Sequence, residues 1–149
     1  MGSFTLRTAL TAVASAAAAL AAPAATSSAT PCTTGSPVVT SGYTINYAHA
    51  VPTPAFENGY QPESAWSKSH VVGTYTFGVP EPVESGFAYA QFKCQYFCNA
   101  KPAGSFFVNY ADDSKVGSYC TCFDELLQPE SFVSNNQTIV GAWNHICAA

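Results

Sequence analysis

The chain has 149 residues, six cysteines, 13% aromatic and only 9% charged residues, with a formal net charge of −4. That acidity speaks against nucleic acid and anionic membranes as partners, because both need basic patches. Ten Phe, eight Tyr and two Trp exclude a disordered composition, which is poor in aromatics.

The opening MGSFTLRTALTAVASAAAALAA places one cation, Arg7, ahead of an uncharged apolar run from Ala9 to Ala22, interrupted only by Thr11 and Ser15. The run is about 14 residues, short of the roughly 20 of a spanning helix. It contains the small-x-small pattern Ala19-Leu20-Ala21, so residues 1–21 read as a secretory signal peptide. Cleavage after Ala22 instead would leave Pro23 first, which cleavage sites disfavour. The mature chain is then about 128 residues, the size of one domain, with four lysines against nine acids. No second apolar run follows, and the final NHICAA lacks the tail of a lipid-anchor signal. The expectation is a secreted, extracellular monomer with no membrane or nucleic-acid partner.

Residues 22–42 are rich in Pro, Ala, Ser and Thr and read as a flexible N-terminal segment suited to O-glycosylation before Cys32. Residues 43–149 are expected to form the single domain. GYTINYAHAV alternates Tyr43, Ile45 and Tyr47, which fits a short strand with an aromatic face. PTPAFENGYQPESAW reads as loop, and HVVGTYTFGV as a second strand; the organisation of 43–83 is left between strands and a large loop. SGFAYAQFKCQYFCNAK has no proline and predicts a helix over about 86–99, with Ser85 as N-cap and Pro102 and Gly104 beyond its end. SFFVNYA and SYCTCF then read as a hairpin around DDSKVG, and QTIVGAWNHIC as a last strand.

Residues four apart on a helix lie one turn apart on one face, roughly 6 Å. Residues two apart on a strand share a face at roughly 6–7 Å. Cys94 and Cys98 on the helix therefore match Cys120 and Cys122 on a strand beneath it. With strand 118–123 running parallel to the helix, Cys120 falls under Cys94 and Cys122 under Cys98; the crossed pairing, 94–122 with 98–120, is the alternative. Cys32 and Cys147 remain for each other. Six cysteines allow 15 connectivities, so spacing alone does not fix one. A zinc site would favour CxxC knuckles, and a redox site a CxxC at a helix start. The spacing here is neither, so structural disulfides are expected, with no metal or cofactor.

A CxxxC helix, an aromatic FxxY strand (Phe107 to Tyr110) and a cysteine-bearing strand, with terminal cysteines left to join, resemble the PAN/apple domain of small secreted fungal proteins. The close part of the resemblance covers about residues 85–123. It implies an α+β fold, a curved antiparallel sheet packed on one helix, that binds protein or carbohydrate without catalysis. The apple pattern places a cysteine just before the aromatic strand, where this chain has Gly104-Ser105, and the second cysteine of Cys120-Thr121-Cys122 stands in for it.

His49, His70 and His145 form no HExxH or HxH, and no GxSxG occurs. Each histidine is read as an ordinary surface side chain. Asp112-Asp113 is read as turn chemistry, and Asp124-Glu125 as the start of a short turn or helix. Flat aromatic rings suit sugars: Tyr43, Tyr47, Tyr60, Trp66, Tyr75, Tyr89 and Trp143 are candidates, although a small domain uses most such rings in its core. Tyr60 and Trp66, in polar GYQPESAW, are the expected surface ligand-binding pair. Asn136 heads the sequon Asn136-Gln137-Thr138. The expected function is non-catalytic binding of an extracellular glycan or protein. The alternatives are a small hydrolase using Asp112 or His49, or a structural cell-wall protein.

Overall fold

The computed structural model describes residues 29–79, 82–110, 117–136 and 139–148. The proposed signal peptide (1–21), the Asp112-Asp113 turn and Gln137-Thr138 of the sequon lie outside the described residues.

Alternation in β-rich runs builds one central sheet. Strands β3 (Tyr47–His49), β5 (Val71–Phe77), β6 (Ser105–Tyr110), β7 (Ser118–Phe123) and β9 (Val140–His145) pair antiparallel in the order β3-β9-β6-β7-β5. Because side chains alternate across a pleat, Phe106 and Phe107 point to opposite faces. Phe106 stands opposite Cys122 and Trp143, and Phe107 opposite Thr121 and Ala142. The first face carries the main core: Tyr47, Phe106, Val108, Cys120, Cys122 and Trp143, against Ala90, Cys94 and Cys98 of helix α2 (Val83–Asn99). The second face packs Phe107, Phe123 and Ala142 against Leu127 and Phe132. Helix α1 (Ser64–His70) and a ribbon of β4 (Tyr60–Pro62) with β8 (Phe132–Ser134) flank this second core through Trp66, Tyr60 and Phe132.

The protein is thus α+β, built on antiparallel pairing and three disulfides. The bridges are Cys32–Cys147, Cys94–Cys120 and Cys98–Cys122, so the parallel helix-to-strand pairing holds and the crossed alternative does not. The two inner bridges touch: Sγ of Cys98 lies 3.7 Å from Sγ of Cys120 and 3.9 Å from Sγ of Cys94.

Three expectations need correction. The described residues hold two α-helices, because the stretch read as loop contains β4 and α1. Glu63 caps α1, its carboxylate accepting from the amides of Ala65 and Trp66 at 3.0 and 2.8 Å. Helix α2 starts at Val83, with Pro82 at its N-cap position; Ser85 lies inside it and donates its hydroxyl to the Pro82 carbonyl at 3.1 Å. The single strand expected over 43–47 is two. β2 (Tyr43–Ile45) pairs with β1 (Val38–Thr40) across a turn in which Ser41 and Gly42 both have positive φ, while β3 joins the main sheet. The break falls at Asn46, whose N–H donates to Oε1 of Gln95 at 2.8 Å, while Nε2 of Gln95 donates to the Thr44 carbonyl at 2.8 Å. Asp124-Glu125 forms a bend, so of the turn and helix alternatives the helix falls away.

A second buried amide locks α2 to β9. Oε1 of Gln91 accepts from Nε1 of Trp143 at 2.9 Å. A side chain at Gly141 would push that Oε1 aside, so glycine there leaves room for the Gln91–Trp143 bond. No helix among the described residues is long and apolar enough to cross a membrane.

Candidate functional site

The inward residues of α2 are small or polar: Ala88, Ala90, Gln91, Cys94, Gln95 and Cys98. Its large rings therefore point outward or sideways. Tyr96 is 59% exposed, and it starts a chain of ring contacts through Phe92 (4.9 Å) and Tyr43 (5.2 Å) to Tyr89 (5.8 Å), where the Lys93 ammonium sits 5.9 Å from the ring centroid. On the other flank Phe97 stacks on Tyr75 at 5.2 Å and 24°, and Tyr75 meets Phe77 at 5.2 Å and 30°. Tyr75 lies on edge strand β5 and is 45% exposed. Tyr96 shares the exposed side of α2 with Glu84, Lys93 and Asn99, while Phe92 and Phe97 pack partly against the core.

Two hollows adjoin at Thr30. The first, about 380 Å³, is lined in part by His70, Asp124 and Glu125. Nδ1 of His70 is 2.9 Å from Oδ1 of Asp124, and the Asp124 amide donates to the His70 carbonyl at 2.9 Å. The second, about 260 Å³, is lined by Thr30, Tyr47, Asn99, Lys101, Ala103 and His145. Here the Tyr47 hydroxyl donates to Oδ1 of Asn99 at 2.7 Å, and burial pushes its pKa up to about 12. Nδ1 of His145 is buried without a partner.

The candidates named from sequence are scattered. Tyr60 is half-buried, packed on Phe132 at 5.1 Å and Phe107 at 6.0 Å, and burial raises its pKa. Trp66 is half-buried between Phe123 (4.9 Å) and His70 (4.8 Å). Both rings are structural on at least one side. His49 is exposed on β3 against Trp143 at 4.9 Å, its pKa lowered by desolvation. Asn136 is exposed at a bend. The sulfurs of Cys94, Cys98 and Cys120 lie within 4.8 Å of one another because two disulfides pack side by side; a metal would need thiolates instead. Sequence reasoning missed the His70–Asp124 pair and the Tyr47–Asn99 pair, whose partners lie 54 and 52 residues apart.

Comparison of the chain with protein families, curated proteins and solved structures found no match in any of the three. The functional reading therefore rests on this geometry.

Proposed function

We propose that the chain is a secreted, non-catalytic binding module with a PAN/apple-like core, and that it recognises glycan outside the cell. The observation that carries this is the pair of aromatic clusters on the two flanks of α2, with Tyr96 the exposed ring of one and Tyr75 of the other. A flat ring covers the apolar face of a pyranose while its hydroxyl stays wet, and the sparse charge of the chain suits an uncharged or weakly charged ligand. Three disulfides fit an oxidising, extracellular setting. The half-exposed rings of Tyr60 and Trp66 stand as secondary contacts. A protein partner would use the same exposed rings, with Tyr96 or Tyr75 as anchor.

The test is binding of the secreted protein to a polysaccharide panel, alongside Tyr75→Ala and Tyr96→Ala. Each substitution is expected to weaken binding about two- to tenfold, the worth of one aromatic contact, with only a modest loss of thermal stability from the ring contacts to Phe97, Phe77 or Phe92. Absence of binding to every glycan, or binding indifferent to both substitutions, sinks the reading. Binding to a glycoprotein that survives removal of its sugars points to the protein partner instead.

The His70–Asp124 pair favours a second reading, a small hydrolase, since it supplies a base and its orienter. Its side chains are 31% and 50% exposed, and electrostatic catalysis is weak in water-like surroundings. Hydrolysis of a sugar or ester abolished by His70→Ala would establish it.

A further inference from the structure

Strand β5 closes one side of the main sheet, and β7 is its only strand neighbour among the described residues. The N–H and C=O groups along the other side of such a strand form a template for pairing with another chain. Edge strands are ordinarily protected by a charge, a proline, a bulge or short length. VVGTYTF holds no charged residue and no proline, and it is the longest strand among the described residues. Its one irregularity falls between Val71 and Gly73, so Gly73 to Phe77 runs in unbroken register against Cys122 to Ser118. Within that run Thr74, Tyr75 and Thr76 are all exposed. The opposite edge of the sheet is unlike this one, because β3 is only three residues long.

We propose that two copies of this chain pair through β5, antiparallel about a two-fold axis at Tyr75. A two-fold contact needs a surface that complements itself, and the run Thr74-Tyr75-Thr76 reads the same in both directions. In this register Tyr75 of one copy faces Tyr75 of the other, an aromatic cross-strand pair, and Thr74 faces Thr76 twice, giving two hydroxyl pairs. Gly73 faces Phe77, so Phe77 of one copy comes against Phe97 of the other, the ring that lies over Gly73. No charged side chain stands in the paired segment, so the acidity of the chain is not concentrated at the contact. An unrelated extended peptide could use the same backbone edge, but the symmetric pairs favour a second copy. Two five-stranded sheets then become one, and its outer edges are the short β3 strands, so the assembly closes at two copies. Directly opposed side chains share a face of the sheet, so both α2 helices stand on one side and the two Tyr75 rings meet between them. The pairing does not rest on the glycan reading, and it replaces the monomer expected from the sequence.

The test is sedimentation velocity of the secreted chain over a concentration series, without added sugar. A reversible equilibrium between monomer and dimer is expected. Thr74→Lys with Thr76→Lys sets like charges opposite each other twice and should weaken the dimer about tenfold or more. Thr74→Lys with Thr76→Glu sets unlike charges opposite each other in the same two places and should keep it. Both positions are exposed, and the thermal midpoint checks that each variant folds. A monomer at every concentration overturns the pairing, as does a dimer indifferent to Thr74→Lys with Thr76→Lys. Loss of the dimer in both variants overturns the register at Tyr75, and growth beyond two copies overturns the closed pair. None of these outcomes touches glycan binding, which the polysaccharide panel measures separately.

Discussion

At the scale of single residues, buried amides do what apolar packing cannot: they set position. Gln95 satisfies one backbone donor and one backbone acceptor at the point where the chain leaves the β1-β2 ribbon for the main sheet. Gln95→Ala strands both groups in a part-buried site. An unmet buried group costs about 1–3 kcal/mol, so a loss of about 2–4 kcal/mol is expected in urea unfolding; an unchanged midpoint would show that water replaces the amide. Glu63 makes a pH prediction. Hydrogen bonds from the amides of Ala65 and Trp66 lower its pKa below the ordinary 4.5. Stabilisation of α1 by this cap is complete above that ordinary value and fades as pH falls through the lowered native one. Trp66, one turn into α1 and against Phe123, reports it: its fluorescence should change on acidification, and Glu63→Ala should remove that pH dependence.

At the scale of elements, the helix-to-strand staple is partly redundant because its loops overlap. The Cys98–Cys122 and Cys94–Cys120 loops interleave, with separations of 24 and 26 residues. Once one bridge forms, the other closes only the few residues between them. Chain-entropy reasoning gives about 3.5 kcal/mol for the first and about 2 kcal/mol for the second. Replacing all four cysteines by alanine is therefore expected to cost about 1 kcal/mol more than the sum of the two paired replacements. Strict additivity in denaturant unfolding would refute the overlapping-loop account. The same spacing made this part of the fold readable in advance: CxxxC and CxC impose matching intervals on helix and strand, and the long runs 85–101, 105–111 and 118–123 carry strong local patterns. Helix α1 was not readable. It spans seven residues, is capped by glutamate rather than the usual Ser, Thr, Asp or Asn, and lies among prolines. The candidate site was readable only as a list of rings. Which of them face outward depends on α2 turning small residues inward, and the hollows depend on pairs more than 50 residues apart.

At the scale of the whole molecule, the first and last described segments meet. Thr33 bridges Ile146, β3 pairs with β9, and Cys32 is bonded to Cys147 across 115 residues. That bridge lies outside the buried core, so Cys32→Ala with Cys147→Ala removes it without opening a cavity. A loop of this size is worth about 4–5 kcal/mol in the chain-entropy account, and a stability loss approaching that figure is expected. Refolding should also slow, because β3 and β9 must then find each other across nearly the whole chain.

The Cys32–Cys147 bond also has a mechanical meaning. A load applied through the segments on either side of it runs along a covalent bond rather than through the sheet, so a stretched or anchored molecule stays folded. Single-molecule pulling from outside the two cysteines should show no unfolding step until a reductant is added. The chain between them should then yield about 400 Å, the extended length of the shielded residues.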